Sequence, residues 1–258
     1  RVIGTVDQIS ALSQLHDHAV YLHGADTYFV NRLDLEQKVV YVERQDLDYY
    51  TQAVQTSQIQ IEEKIVEESR GYGLVGYGDV NVTTSLPMFK KIRFHSRDSI
   101  GFETLELPPQ LLETVAFWFM PSKGVSGSML ARKMVVGDAL VGLANVLVEV
   151  APLFVMCDTR DIGAVVDSTN LSGECVFVHD RYPGGMGYAR RCLDHFDRIM
   201  RTVAEVIQAC ACADGCPSCV GSATTPESRT DLDSAVRGRI PDKKAAQFLV
   251  NTVLENLV

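Results

Sequence analysis

The sequence lacks the motifs of the common nucleotide-dependent and metal-dependent hydrolases. It contains no Gly-x4-Gly-Lys-Ser/Thr loop to cradle a nucleotide phosphate and no His-Glu-x2-His pair to bind a catalytic metal. It has no N-terminal basic and then apolar segment of the signal-peptide kind. Its longest apolar stretch, around Ala139–Met156, is interrupted by Gly142, Asn145, Glu149 and Pro152 and falls short of the roughly 18 residues that span a bilayer. These absences argue against an ATPase motor, a metallopeptidase and a membrane protein.

Positive charge is also scarce. The 258 residues include 24 Lys and Arg against 33 Asp and Glu, for a net charge of -9. Such a chain is not attracted to nucleic acid as a whole, so any nucleic-acid binding must come from local basic patches. Hydrophobic residues make up 46%, enough for one large core or two modest ones. The chain opens on Arg1 rather than Met, which leads us to expect a piece of a longer polypeptide.

Hydrophobic periodicity changes along the chain. Short β-branched and apolar runs between residues 19 and 120 are typical of strands, and their number favours a small barrel or a curved sheet. After the small polar stretch Ser122–Ser128, the apolar spacing becomes helical. We therefore predict an α+β protein, with a β-rich domain over 1–121 and an α/β domain over 122–258.

Within the second domain we expect buried strands and long helices. Phe154–Cys157 and Cys175–Val178 are short apolar runs typical of buried strands. Apolar positions at helical spacing predict one long helix over Gly185–Ala209. A last helix is predicted from about Pro241 to Leu257.

The most specific motif is a group of cysteines directly after the predicted long helix. Four of the seven cysteines fall within ten residues, with the spacing Cys-x-Cys-x3-Cys-x2-Cys. They are Cys210, Cys212, Cys216 and Cys219. Zinc favours four tetrahedral thiolates, and a site with no open position is structural rather than hydrolytic. Free or disulfide-linked cysteines are the first alternative, but four sulfurs this close in sequence strain disulfide geometry. An iron–sulfur cluster is the second; we favour one structural Zn²⁺ ion.

A glycine-rich turn, Tyr182–Gly187, precedes the predicted long helix. Backbone amides at a helix N-terminus attract anions, so Gly184 and Gly185, with Arg181 beside them, are candidates for contact with a nucleic-acid phosphate. The alternative is a tight turn that needs glycine because its φ angles are positive. The sequence leaves both interpretations open.

Basic residues form two further candidate patches for nucleic-acid binding. On the predicted long helix, the eleven-residue spacing of Arg190 and Arg201 places them on one face. The candidates are Arg190, Arg191, Arg198 and Arg201 on this helix, and Lys90, Lys91 and Arg93 on a predicted strand. Either set could follow a sugar–phosphate backbone. For any single arginine of the helix we favour a solvated face with local ion pairs, whereas for the strand a solvated face and DNA contact are equally consistent with the sequence.

Three carboxylates could in principle form a catalytic group. Asp158, Asp161 and Asp180 lie near predicted strand ends, where they could act as acid–base groups or bind magnesium. Turn formation and pairing with arginine are the more common roles of such residues, and we favour them here.

The cysteine motif, together with the Tyr182–Gly187 turn before it, resembles the C-terminal zinc-binding domain of the MrfA-type DNA helicases. These are bacterial superfamily 2 DNA-repair helicases with fungal and plant relatives. Weaker matches, such as Val20–Gly24 and Asp48–Thr51, extend the resemblance over nearly the whole chain.

The resemblance implies a parent that couples ATP hydrolysis to 3′-to-5′ translocation on single-stranded DNA during repair. It implies structural zinc at the four cysteines and helicase motor domains as neighbours in cis. Because the same domain also occurs in motorless partner proteins, a helicase or repair partner in trans is the other possibility. The chain itself is then expected to be inactive alone and located in the cytoplasm or nucleoid, or in the nucleus of a eukaryote. The competing hypotheses are a protein–protein scaffold module held by zinc and a small enzyme using the three carboxylates.

Overall fold

The computed structural model describes residues 1–221 and 240–257, without the side chains of residues 8 and 9. The protein is α+β, as predicted. Its contacts divide it into two compact units: Arg1–Gln55 with Ser85–Pro109, and Thr56–Thr84 with Gln110–Val258. This grouping differs from the predicted division at residue 121, because residues 73–84 pair with residues 110–121, which in turn pair with a C-terminal strand.

The first unit contains an N-terminal helix and a small antiparallel sheet. Helix α1 spans Gln8–Gln14 and begins at Asp7, whose side chain accepts a hydrogen bond of 2.9 Å from the Ser10 amide. Strands β1 (Val20–His23), β2 (Asp26–Asp34) and β3 (Val39–Arg44) pair in that order. Leu15, Ala19 and Val30 form a small core beneath them.

The second sheet has six strands. Its strands are β4 (Tyr49–Arg70), β5 (Gly73–Arg93), β6 (Ser99–Thr104), β7 (Gln110–Pro121), β8 (Ile162–Asp167) and β9 (Cys175–Asp180). The order is β4-β5-β7-β9-β8, with β6 pairing to the far end of β5. Neither sheet closes into a barrel in the described residues, so the predicted curved sheet is the alternative that fits.

Helices of the second unit bury one large apolar core. They are α2 (Lys123–Ala131), α3 (Val136–Val150), α4 (Pro152–Val155), α5 (Tyr188–Asp194), α6 (Phe196–Ala209), α7 (Pro217–Val220) and α8 (Lys243–Glu255). Alternation along β9 sends Val176 and Val178 into this core and Cys175 and Phe177 into a second one with Trp118. By length and composition alone α3 and α4 together could cross a membrane, but most of α3 is buried in the core.

Two local predictions need correction, and the first of them is a strand. Phe154–Cys157 is not a strand: Pro152 starts the short helix α4, and Met156 ends it in the left-handed region with φ 60°. A short apolar run does not distinguish a strand from a buried helical turn. The small polar stretch Ser122–Ser128 forms the start of α2, and Ser122 caps this helix by accepting a 3.3 Å hydrogen bond from the Val125 amide.

The helix predicted over Gly185–Ala209 starts later and is divided. Its first residues are the glycine turn, and His195, with φ -107° and ψ 14°, separates α5 from α6. The continuous helical spacing from which a shared face of Arg190 and Arg201 was predicted is therefore interrupted. Strand β8 was not predicted, although all six of its residues are buried.

Candidate metal centre and nucleic-acid interface

The four clustered cysteines converge on a single point. Their Sγ atoms lie within 4.8 Å of one another, and four of the sulfur–sulfur distances fall between 3.4 and 3.7 Å. A tetrahedral zinc site with Zn–S bonds of about 2.3 Å has sulfur–sulfur edges of about 3.8 Å. The distances are far longer than the roughly 2.05 Å of a disulfide. Four of the six edges thus lie within a few tenths of an ångström of the tetrahedral value, and the group is suited to one shared ion.

Local backbone structure explains this convergence. Cys210 is the first residue beyond α6, and Cys216 caps α7, whose short turn brings Cys219 back beside it. Gly215 has a φ of 125°, and a Cβ there would lie 2.7 Å from the carbonyl oxygen of Pro241. The loop from Cys210 to Cys219, called the cysteine loop below, therefore needs glycine at residue 215.

The thiols of the cysteine loop differ in their environments. A hydrogen bond with Cys210 is the main cause that lowers the pKa of Cys216 to about 7. Burial raises the pKa of Cys219 to about 12. A metal would require all four groups as thiolates, so binding releases protons. Four sulfur donors suit zinc, and with every tetrahedral position taken they leave none for a substrate.

Two residues that the sequence analysis missed hold the cysteine loop from outside. The buried Asn145 side chain of α3 donates a 2.9 Å hydrogen bond to the carbonyl oxygen of Val220. The Lys243 ammonium of α8 donates to the carbonyl oxygens of Cys210, at 2.6 Å, and Cys212, at 2.8 Å. Asn145 had a signal, a polar residue on an apolar helical stripe. No sequence pattern distinguished Lys243, because the adjacent Lys244 is the same residue type.

The glycine turn before α5 surrounds an internal carboxylate. Asp180 is fully buried and accepts hydrogen bonds from the backbone amides of Met186 (2.5 Å), Tyr188 (3.1 Å) and Ala189 (2.7 Å). The anion that these amides attract is therefore the protein's own aspartate. Asp180 stabilises the start of α5, in agreement with the structural role favoured for it.

The glycines themselves follow the turn geometry. Gly184, Gly185 and Gly187 have φ angles of 72°, 76° and 87°. The amides of Gly184 and Gly185 donate at 2.9 Å to the carbonyl oxygens of Glu113 and Tyr182. Positive φ thus accounts for glycine here, and phosphate contact by Gly184 and Gly185 stays a prediction.

The other two candidate carboxylates form a turn. Asp161 accepts a 2.8 Å hydrogen bond from the Asp158 amide and a 2.6 Å hydrogen bond from the Tyr182 hydroxyl. The bond from Tyr182 is the main cause that lowers the pKa of Asp161. A metal ion needs several ligand atoms from Cys, His, Asp or Glu close together. Among the described residues, the four clustered cysteines meet this condition and the three aspartates do not. The geometry thus supports turn formation by these aspartates.

The four arginines of α5 and α6 are exposed, and local contacts are seen for Arg190, Arg191 and Arg198. The Arg190 Nε lies 3.3 Å from a carboxylate oxygen of Asp194. An Arg191 nitrogen donates a 3.3 Å hydrogen bond to the carbonyl oxygen of Val155, and the Arg198 guanidinium lies 5.3 Å from the ring centre of Phe154. Arg201 is also exposed.

Arg181 differs from these four arginines. Its side chain is half-buried, and burial lowers the pKa of its guanidinium. The exposed arginines of α5 and α6 therefore remain the more accessible candidates for a phosphate.

The second basic patch belongs to the first unit. The Lys90 ammonium lies 5.9 Å from the ring centre of Phe102, and Lys91 forms an ion pair with Glu103. That bond is the main cause that lowers the pKa of Glu103. Arg93 is exposed and ends β5. Part of this patch is therefore already neutralised within the protein.

Comparison with known proteins assigns the metal centre to a family. The model of the MrfA Zn-binding domain matches residues 143–220, which include all four cysteines of the cysteine loop. The uncharacterized ATP-dependent helicase YprA of Bacillus subtilis is 34% identical over 224 residues, covering 86% of this chain and 30% of that protein. The ATP-dependent helicase HRQ1 of Saccharomyces cerevisiae is 21% identical over 254 residues, covering 93% of this chain and 23% of that protein.

A solved structure agrees with these relatives. The crystal structure of the DUF1998 helicase MrfA bound to DNA superposes with a TM-score of 0.65 at 30% identity, covering 98% of this chain and 32% of that chain. The chain thus spans about a third or less of the length of the helicases it matches. Residues 143–220 thus match the zinc-binding domain of one class of helicase. More particularly, the chain is similar to the MrfA type and corresponds to the C-terminal zinc-binding region of those helicases.

Proposed function

We propose that this chain is an accessory region of an ATP-dependent DNA-repair helicase, that one structural Zn²⁺ ion holds it together, and that it engages single-stranded DNA. The observation that carries the proposal is the convergence of four sulfurs at 3.4–3.7 Å inside the segment matched by the MrfA Zn-binding model. The DNA-bound state of the similar helicase supports the proposed engagement of DNA.

Zinc is the ion that best suits the cysteine loop. The four sulfurs lie close enough to share a single ion, whereas an iron–sulfur cluster distributes its cysteines over several irons and holds their sulfurs farther apart. Bound there, the ion would tie the end of α6 to α7 and supply folding free energy rather than chemistry. The cysteines that would hold it are Cys210, Cys212, Cys216 and Cys219.

The proposed DNA contact lies at two sets of basic residues, of which the arginines are exposed and Lys90 and Lys91 are half-buried. Arg190, Arg191, Arg198 and Arg201 supply guanidinium groups on α5 and α6, and Lys90, Lys91 and Arg93 supply a second patch on β5. Translocation in the 3′-to-5′ direction and ATP hydrolysis would be performed by motor domains in cis or by a helicase or repair partner in trans. This role corresponds to the expected location in the cytoplasm or nucleoid, or in a eukaryotic nucleus.

Binding to a fluorescent single-stranded oligonucleotide, measured by anisotropy across a salt series, tests the DNA contact. The logarithm of the affinity should fall with the logarithm of the salt concentration with a slope of about -0.7 per phosphate contact. The double variant Arg190→Gln/Arg201→Gln should flatten this slope, whereas Lys123→Gln on α2 should not. Absence of binding at low salt would contradict the proposal. ATP hydrolysis by the isolated chain should be undetectable, and measurable turnover would contradict the assignment of the motor to other residues.

A scaffold role is the second candidate, favoured by exposed apolar side chains on the second unit. Leu153, Met156 and Met186 are 73%, 81% and 62% exposed, so their apolar side chains are accessible to a partner. Arg191 and Arg198 contact Val155 and Phe154, which lie between Leu153 and Met156 in sequence, and Met186 lies four residues before Arg190. A protein partner would therefore compete with DNA for this region. Weak, salt-independent DNA binding with retained zinc would favour this alternative.

A further inference from the structure

Lys243 occupies an unusual place for a lysine. Its side chain is 6% exposed, and its ammonium donates to the carbonyl oxygens of two cysteines, Cys210 at 2.6 Å and Cys212 at 2.8 Å. Its backbone amide also donates, at 3.2 Å, to the carbonyl oxygen of Asp214 in the same loop. Lysine is almost never buried this fully without a partner, so the position needs an explanation.

The carbonyl groups of Cys210 and Cys212 explain part of the burial of Lys243. Cys210 directly follows α6, where helix carbonyls lack intrahelical partners and the helix dipole favours a positive charge. Cys212 lies two residues farther, and its sulfur is 3.6 Å from that of Cys210. A single ammonium therefore fixes the backbone of two neighbouring sulfur-bearing residues, from a helix that is distant in sequence.

The charge of a metal-bound cysteine group gives a second reason for a buried ammonium at this position. Four thiolates around one divalent cation leave a net negative charge, which is costly at a partly buried site unless a cation lies nearby. Lys244, the next residue, is different: its ammonium lies 3.3 Å from Asp214, and both side chains are exposed. The two adjacent lysines thus differ in burial and in what they contact, although they share a residue type.

We propose that Lys243 is a positioning residue of the metal centre, which raises zinc affinity by fixing the backbone of Cys210 and Cys212 and by offsetting the charge of the four thiolates. This inference rests on the proposed zinc site. Residues that orient metal ligands from outside typically contribute 10–100-fold to metal affinity.

The test compares Lys243→Met with Lys244→Met in the full chain. Zinc dissociation constants are measured by competition with a chromogenic chelator, after the zinc content of the unsubstituted protein has been confirmed. Lys243→Met should raise the zinc dissociation constant by about 10–100-fold. Lys244→Met, which removes only an exposed ion pair, should leave it within about twofold. Equal dissociation constants for the two variants would overturn the proposal.

A second measurement separates positioning from simple packing. Melting temperatures are recorded with zinc bound and after chelation. If Lys243 acts on the metal centre, Lys243→Met narrows the gap between the two temperatures, since ligand stabilisation follows affinity. A packing role would lower both temperatures equally and overturn the proposal. If Lys243→Met does not fold, Lys243→Gln provides the same comparison, and wild-type zinc affinity in that variant would also overturn it. A chain that holds no zinc before substitution would instead refute the zinc site itself.

Discussion

The buried carboxylate of Asp180 accepts a 2.7 Å hydrogen bond from the backbone amide of Ala189, in the first turn of α5. The amides of Met186 and Tyr188 donate to the same carboxylate. Asp180 ends β9, so this one side chain joins the sheet to the helix that leads to the metal centre.

Replacing Asp180 should therefore lower the free energy of unfolding. Asp180→Asn keeps the shape but puts an amide in place of one acceptor oxygen and removes the charge, so we expect a loss of about 2–4 kcal/mol in unfolding free energy. Asp194→Asn removes an exposed partner of Arg190 and should cost less than about 0.5 kcal/mol. Urea unfolding followed by circular dichroism measures both. Similar midpoints for the two variants would contradict the role of Asp180.

Gly185 in the turn before α5 can be compared with Gly127 in α2, because the same substitution should have opposite effects at the two positions. At Gly185, φ is 76° and a Cβ would lie 2.4 Å from a methyl carbon of Val115, so Gly185→Ala should destabilise the protein by at least about 1–2 kcal/mol. At Gly127 in α2, a Cβ meets nothing within 4 Å, so Gly127→Ala should stabilise by about 0.5–1 kcal/mol. Thermal melts of the two variants should shift in opposite directions, and a shared direction would refute the argument.

His179 makes stability depend on pH. Burial lowers the pKa of His179 to about 4. The unfolded chain takes up this proton near pH 6.5, whereas the folded protein resists it down to about pH 4. The contribution of His179 to the free energy of unfolding is therefore fully present above about pH 6.5. It falls as the pH decreases, by about 2 kcal/mol between pH 7 and pH 5.

The control for this dependence is a substitution of an exposed histidine. His179→Gln should reduce the loss of stability between pH 7 and pH 5, whereas His95→Gln, in the exposed turn after β5, should leave it unchanged. Unfolding must be compared at equal zinc content, because acid also releases metal from thiolates. An unchanged pH dependence in His179→Gln would contradict the assignment.

The metal centre could be predicted from the sequence because its four ligands lie within ten residues. Local spacing and loop chemistry were enough to bring the sulfurs together. Lys243 could not be predicted, since it meets Cys210 only after α8 has packed against α6, and its neighbour Lys244 has the same chemistry.

The glycine turn shows a different limit. The amides at its end do attract an anion, as the residue types indicate, but the anion is Asp180 of the protein itself. Which carboxylate fills such a site depends on how β9 enters α5, which no local pattern reveals. Strand Phe154–Cys157 was wrong for a related reason, because a four-residue apolar run is compatible with either a strand or a buried helical turn.

The zinc content of the purified chain tests the account most directly. Elemental analysis should find one zinc per chain in the unsubstituted protein and in Cys157→Ser, whose cysteine lies outside the cysteine loop. Cys216→Ser should lose the metal and melt at a much lower temperature, because a structural zinc contributes on the order of 10 kcal/mol of folding free energy. Iron with sulfide, no stoichiometric metal, or full zinc and unchanged melting in Cys216→Ser would contradict the account.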